Sequence, residues 1–254
     1  MPPVCRTHAS AGVRLDSLGA GAQCASARSF RSLSERSESK RTLSPCQSCA
    51  VFIKICGIRD VATAAACVAL DVDAIGFVFA DGSVRQITAD AVAEIVATVP
   101  ASIETVGVFT DAPIESVLDD VTRAGLQTAQ LHGPRPVAEI ELLLTAGFRV
   151  IVARRASEID DNLAAVLAAH PSIRVLVDGD VPGSGTAFSV DVIDPAVLPT
   201  EWILAGGLDA ANVSSRIRAL QPTGVDVSSG VESARGVKSV EKIEQFVVAV
   251  RSGA

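Results

Sequence analysis

The residues best suited to chemistry are a cysteine and an aspartate that end two apolar runs. Cys56 closes the run VFIKIC and Asp178 closes the run IRVLVD, each directly before a glycine. Runs this rich in branched residues are typical of buried strands. A thiol and a carboxyl group that face a common substrate can serve as base and acid in proton transfer. The alternative for Asp178 is a helix-capping residue, although no strong helical pattern follows it.

Glycine and serine follow the last two strand-like runs. Gly206 and Gly207 come after EWILA, while Ser229 and Gly230 come after GVDVS. Backbone N–H groups at such positions can bind a phosphate, as barrel enzymes often do after their seventh and eighth strands. Plain turn glycines are the alternative. The loop PGSGTAF at 182–188 suits a lid that closes on a ligand, or an ordinary flexible connection.

The elements that position these residues repeat one pattern from residue 51 onward. A short branched run is followed by a turn and then by an Ala-rich amphipathic stretch, which predicts alternating strands and helices. The predicted strands are 51–55, 74–79, 104–109, 126–131, 148–153, 173–178, 201–205 and 224–228. The predicted helices are 60–70, 88–99, 112–124, 135–146, 157–169, 209–220 and 237–251, and the stretch after the sixth strand is mostly loop.

Eight such units predict a single α/β domain over residues 51–254, a (β/α)8 TIM barrel with its active site at the C-terminal ends of the strands. An open, doubly wound sheet is the alternative. Strand alternation places Lys54 with Cys56 on one face of strand one, and Asp226 with Ser228 on one face of strand eight. Because these strands are neighbours in a closed barrel, we expect Lys54 to pair with Asp226 inside it and to favour the Cys56 thiolate.

Residues 1–50 differ in composition from the rest of the chain. They are rich in Ser and Arg, show no strand or helix period, and carry a net charge of +4 against −7 for the whole chain. We predict a disordered or spurious N-terminal extension, with a targeting segment as the alternative. The acidic remainder argues against a nucleic-acid surface, and no apolar stretch is long enough for a membrane span.

Cysteine usage favours a reducing compartment, and we expect a cytoplasmic protein. Four of the six cysteines lie in the N-terminal fifty residues. Cys46 and Cys49 have C-x-x-C spacing, but neither a second pair nor a nearby histidine completes a zinc site. Cys67 lies in a predicted helix, where a buried apolar role is the simplest interpretation.

The chain resembles the phosphoribosylanthranilate isomerases over essentially all of residues 51–254. The shared motifs, in order, are KICGI, GFVF with SVRQI, VGVF, QLHG, VDG with GSGTAF, LAGGL with NV, and GVDVSSGVE with GVKS. The resemblance implies an Amadori rearrangement of a small phosphosugar in tryptophan biosynthesis, without a cofactor or a metal. We also expect a monomer or homodimer that binds neither nucleic acid nor membrane.

The resemblance assigns roles to individual residues. Asp178 is the implied general acid, Cys56 the implied general base, and Arg85 the implied ligand of the anthranilate carboxylate. These roles lead us to expect a lowered pKa for Cys56 and a raised pKa for Asp178. His132 either touches the aromatic ring or has a structural role, and Gln130 is equally open. Where many family members carry a lysine near the end of strand five, this chain has Ala153.

Three other functions compete with this one. A phosphate-binding barrel of the epimerase or thiamine-phosphate synthase kind would be expected to show metal ligands or pyrophosphate-binding residues. An isomerase that also serves histidine biosynthesis would need a second phosphate site, and the ends of strands three and four lack a glycine-rich cradle. A barrel without activity would have lost Cys56, Asp178 or Arg85, and all three are present.

Overall fold

The computed structural model describes residues 51–179, 199 and 201–253, so the N-terminal fifty residues, with Cys46 and Cys49, and the loop at 182–188 lie outside it. Eight parallel strands form a closed barrel in sequential order, β1 to β8. The predicted TIM barrel is therefore confirmed. The strands are β1 Phe52–Cys56, β2 Ala74–Val78, β3 Glu104–Phe109, β4 Thr128–His132, β5 Arg149–Arg155, β6 Arg174–Asp178, β7 Trp202–Leu204 and β8 Gly224–Val227.

Helices surround the barrel, and some of them begin at side-chain caps. They are α1 Val61–Ala69, α2 Ala89–Val96, α3 Ile114–Arg123, α4 Val137–Thr145, α5 Asp161–Ala169, α6 Val213–Leu220 and α7 Val240–Gly253. The side chains of Asp60, Thr88 and Asp160 accept hydrogen bonds from the first turns of α1, α2 and α5. No helix in the described part of the chain is long and apolar enough to cross a bilayer.

Three predicted helices begin later than expected. A 3-10 turn over Ala156–Glu158 precedes α5, and a loop held by Asp209 and Asn212 precedes α6. Before α7 the chain forms an antiparallel hairpin of β9 Glu232–Ala234 and β10 Val237–Lys238. These segments are only two to four residues long, which is too short for hydrophobic period to distinguish them from a helical turn.

The interior of the barrel contains the predicted ion pair. Lys54 on β1 lies in register with Asp226 on β8, and Lys54 Nζ is 2.9 Å from Asp226 Oδ1. Lys54 is completely buried, so its charge needs this partner. Cys56 lies two residues further along β1 and shares the inward face, where it packs with Val78 and Val108. Alternation along β1 thus brings an ammonium group and a thiol into the barrel, the thiol at its C-terminal end.

The opposite end of the barrel contains a structural polar cluster. The Glu104 carboxylate accepts hydrogen bonds from Thr128 and Arg174, and the Arg174 guanidinium stacks on the Phe52 ring at 5.0 Å. These groups lie at the N-terminal ends of their strands, where barrel residues contribute to stability. The chemistry therefore belongs to the other face.

Candidate active site

A cavity of about 200 Å³ opens at the C-terminal ends of the strands. Seven of the eight predicted site residues line it: Cys56, Asp178, Arg85, His132, Gly206, Gly207 and Ser229. They come from β1, β4, β6 and the loops after β2, β7 and β8. Residues far apart in sequence are therefore brought together around one space, as expected for a barrel active site.

Cys56 is the last residue of β1, and the residue is only 7% exposed. Burial raises the pKa of the Cys56 thiol, and the nearby Asp226 carboxylate raises it further. The positive charges of Lys54, Lys238 and Arg85 oppose this shift without overcoming it. The expectation of a lowered pKa was therefore wrong in direction, because enclosure disfavours the thiolate more than the three cations favour it.

Asp178 is the last residue of β6 and is half-buried at the rim of the cavity. Burial raises its pKa, and the charge of Asp226 acts in the same direction, against the lowering effect of His132. The expected upward shift is thus confirmed. A carboxyl group that retains its proton more readily than usual is suited to the role of general acid.

The loop after β7 passes very close to Asp178. Gly206 has φ +90°, and a Cβ at this position would lie 2.7 Å from Asp178 Oδ1 and 2.5 Å from the Gly179 nitrogen. A side chain here would clash with the carboxyl group and would also strain the backbone. Asn212 fixes the same loop by donating to the Gly207 carbonyl at 2.8 Å. Gly206 therefore allows the loop after β7 and Asp178 to meet.

The loops after β7 and β8 meet beside the cavity, where the sequence predicts an anion cradle. The N–H groups of Gly206, Gly207, Ser229 and Gly230 donate to no other backbone group in the described part of the chain. Gly230 packs so tightly that a Cβ would lie 1.9 Å from the Leu208 carbonyl oxygen, and it lines a neighbouring surface cavity rather than the main one. Gly230 thus joins the two loops, while Gly206, Gly207 and Ser229 face the main cavity.

Arg85 lies on the loop after β2 and is held by a carboxylate that the sequence prediction overlooked. Its Nε donates to Glu232 Oε1 at 2.6 Å and its Nη2 donates to Glu232 Oε2 at 3.0 Å. Lys238 Nζ lies 3.0 Å from the same Glu232 Oε1. Both residues belong to the SSGVE and GVKS motifs, but their roles depend on the β9–β10 hairpin, which the sequence pattern did not predict.

His132 and Gln130 occupy the inward face of β4 and both line the cavity. Gln130 is 3% exposed. In the described part of the chain, its Oε1 is the one buried side-chain nitrogen or oxygen atom without a hydrogen-bond partner. A buried polar atom of this kind requires an explanation, and a donor on a bound ligand would provide one.

At the end of β5, where many of the related isomerases carry a lysine, this chain has residues that do not line the cavity. Ala153 is buried in the barrel interior, and Arg154 donates to the carbonyls of Gly133 and Ala153 without lining the main cavity. Arg155 is exposed. Among the residues that the structure describes, no group of three or more His, Cys, Asp and Glu side chains is placed to hold a metal ion.

Comparisons with known proteins agree with this arrangement. The family model for N-(5'-phosphoribosyl)anthranilate (PRA) isomerase matches residues 53–249. The N-(5'-phosphoribosyl)anthranilate isomerase of Magnetococcus marinus is 39% identical over 206 residues, which cover 80% of this chain and 96% of that protein. The structure of phosphoribosyl anthranilate isomerase from Thermus thermophilus has a TM-score of 0.69 and 36% identity, covering 79% of this chain and 98% of its own.

A further solved relative contains a bound ligand. It is a phosphoribosyl anthranilate isomerase in complex with reduced 1-(o-carboxyphenylamino)-1-deoxyribulose 5-phosphate. Its TM-score is 0.65 at 31% identity, with 80% of this chain and 99% of that chain covered. The similarity therefore extends over nearly the whole length of these relatives and over the described barrel.

Proposed function

The chain belongs to the N-(5'-phosphoribosyl)anthranilate isomerase family, and we propose that Cys56 and Asp178 carry out the family's reaction in this protein. The enzyme converts N-(5'-phosphoribosyl)anthranilate into 1-(2-carboxyphenylamino)-1-deoxyribulose 5-phosphate, a step of tryptophan biosynthesis. This is an intramolecular change from an aldose to a ketose, so the composition of the substrate is unchanged. The reaction requires the protein to bind both ends of the substrate and to move protons within its ribose part.

In the proposed sequence of steps, Asp178 donates a proton to the ribose ring oxygen, and the ring opens to a Schiff base. Cys56, as the thiolate, then removes the proton from C2 to give an enolamine, which tautomerises to the ketone. The single observation that carries this proposal is that Cys56 and Asp178 line one cavity from β1 and β6, beside the glycine loops after β7 and β8. The proposed acid, base and phosphate cradle would thus share one cavity.

The remaining cavity residues fit the two ends of the substrate. Gly206, Gly207 and Ser229 would bind the phosphate through backbone N–H groups, while the Arg85 guanidinium would bind the anthranilate carboxylate. The unpartnered Gln130 Oε1 would accept a hydrogen bond from a substrate hydroxyl or from the amine N–H. His132 would contact the aromatic ring from the end of β4.

We further propose that this protein is cytoplasmic and works as a monomer or homodimer, with a small phosphosugar as its ligand and no cofactor. Reduced cysteines support the first point, since the two cysteines of the described range, Cys56 and Cys67, are both free and buried. Sedimentation of the purified protein would distinguish a monomer from a homodimer.

The direct test of the function is the loss of anthranilate-type fluorescence after freshly made phosphoribosylanthranilate is mixed with the purified protein. We expect rapid decay that scales with enzyme concentration. A well-folded protein that causes no decay above the spontaneous rate would refute the isomerase function and direct attention to other phosphosugars.

Gly206→Ala is expected to lower kcat/KM by about 100-fold, because a displacement of about 1 Å in a catalytic group can have that effect. The new Cβ would push on Asp178 Oδ1 and on the Gly179 nitrogen. Gly147→Ala is the matched control, since Gly147 has the same φ of +90° but no atom within 4 Å of its added Cβ. Equal losses of activity in the two variants would mean that backbone strain, not contact with Asp178, causes the defect.

A further inference from the structure

The β9–β10 hairpin lies beside the cavity, yet neither of its two buried charged residues takes part in the proposed proton transfers. Glu232 begins the hairpin, and Lys238 ends it. Both side chains are nearly inaccessible, at 5% and 3% exposure. Buried charges of this kind are retained only with good partners, and here the partners include Arg85, the proposed ligand of the substrate carboxylate.

The contact between Glu232 and Arg85 occupies one defined edge of the guanidinium group. Glu232 accepts from Nε at 2.6 Å and from Nη2 at 3.0 Å, so it fills the side edge of the planar fork. The Nη1 group is left to donate to another acceptor. The arginine stem is fixed as well, since a Cβ on Gly57 would lie 2.8 Å from Arg85 Cδ. Arg85 is therefore held in one orientation at the wall of the cavity.

Glu232 is itself immobilised by the hairpin. Its Oε2 accepts from the Gly236 N–H at 3.0 Å, and its backbone carbonyl accepts from Lys242 Nζ at 2.7 Å. Burial opposes ionisation of Glu232, but the hydrogen bonds from Arg85, Gly236 and Lys238 outweigh it and lower its pKa to about 2. The carboxylate is thus charged and fixed at any pH at which the enzyme would work.

The charges of Arg85, Lys238 and Glu232 do not cancel. Arg85 and Lys238 are both cationic, and Glu232 is the one carboxylate between them. Lys238 Nζ also donates to the Ser228 carbonyl at 2.8 Å, which ties the hairpin to the end of β8. One surplus positive charge therefore remains at the cavity wall, as a site for a carboxylate requires.

We infer that Glu232 is a positioning residue that makes the site selective for a carboxylated aromatic amine, by presenting the Nη1 end of Arg85 to the substrate carboxylate. This inference rests on the proposed function and adds a residue to it. The hairpin would act through orientation and not through the proton transfers at Cys56 and Asp178. Its removal should therefore affect substrates with and without the carboxylate differently.

The test compares two substrates with the Glu232→Gln variant, which retains the side-chain size but loses the charge. The substrates are phosphoribosylanthranilate and the same phosphoribosylamine made from aniline, which lacks the carboxylate. For the first we expect KM to rise about tenfold and kcat to change less than about threefold, the pattern of lost binding that is common to ground and transition states. For the aniline substrate we expect kcat/KM within about twofold of wild type.

Three further variants make the result decisive. Arg85→Lys retains the charge but loses the planar fork, and it should show the same selective loss. In that background Glu232→Gln should raise KM no further, because the two residues act as one unit. Glu244→Gln is the control, since Glu244 is an exposed residue of α7. Were Glu232→Gln to fail to fold, Glu232→Asp, which retains the charge but shortens the side chain, would be tested with the same two substrates.

The inference is overturned if Glu232→Gln, or Glu232→Asp in its place, impairs both substrates equally. It is also overturned if Glu232→Gln lowers KM for phosphoribosylanthranilate, which would mean that Glu232 only neutralises charge. Failure of the underlying function would look different, because the wild-type protein would then be inactive on phosphoribosylanthranilate.

Discussion

Cys56→Ala is expected to lower kcat by about 10³-fold or more while KM changes little, as removal of a general base commonly costs 10² to 10⁴ in rate. Cys56 is the last residue of β1, faces the barrel interior and lines the cavity. Alanine fits the same space, so the variant should fold and should still bind the phosphate and the carboxylate. The measurement is the steady-state decay of substrate fluorescence.

Cys67→Ala is the matched control for this prediction. Cys67 is also a free, buried thiol, but it lies on α1 in the layer between sheet and helices. Burial raises its pKa to about 12, and it does not line the cavity. Its replacement should leave kcat unchanged. If Cys56→Ala retained more than about a tenth of the wild-type kcat, the general base would have to be another group.

The raised pKa of Cys56 has a kinetic consequence. Lys54 Nζ lies in the same interior and is bound to Asp226 Oδ1 at 2.9 Å, so its positive charge is largely used by that carboxylate. The thiolate is therefore a minor species at neutral pH, although a more strongly basic one than an ordinary thiolate. Burial thus lowers the fraction of Cys56 that is ionised but makes each thiolate a stronger base. A stronger base is suited to the removal of a weakly acidic C–H proton.

Much of this arrangement could be predicted from the sequence. The alternation of side chains can be read along each strand, and closure of the barrel makes strands that follow one another in sequence neighbours in space. The pairing of Lys54 with Asp226 required only alternation along two strands and the adjacency of the first and last strands. The position of Cys56 at the end of β1 also followed. The pKa of Cys56 did not, since a sequence shows which charges are near but not how completely they are enclosed.

The role of Glu232 lay beyond sequence reasoning for a related reason. The hairpin after β8 consists of two very short strands joined at Gly236, which has φ +81°. Segments this short carry no readable period, so the helix was predicted to begin too early, at 237 instead of Val240. The contact with Arg85 spans 147 residues of sequence. Only the closed barrel brings the two side chains together.

Asp178→Asn is expected to lower kcat by about 10² to 10⁴ at neutral pH and also to change the shape of the pH profile. The productive state combines a protonated Asp178 with an ionised Cys56. Between the carboxyl pKa and the thiol pKa, the protonated fraction of Asp178 falls tenfold per pH unit while the thiolate fraction of Cys56 rises tenfold. In the wild-type enzyme these changes cancel, so kcat/KM should be nearly constant across neutral pH.

In Asp178→Asn the side chain at position 178 no longer titrates, so only the thiolate fraction of Cys56 changes with pH. The residual kcat/KM of Asp178→Asn should therefore rise about tenfold per pH unit up to the pKa of Cys56, which burial raises above its ordinary value. Cys56→Ala should show the reverse, a residual rate that falls as Asp178 loses its proton. Measurements between about pH 7 and pH 9 avoid the second ionisation of the substrate phosphate near pH ~6. A flat profile for Asp178→Asn, together with a primary isotope effect for substrate deuterated at C2, would exclude Cys56 as the base, because removal of the C2 proton would then limit the rate without depending on the thiolate.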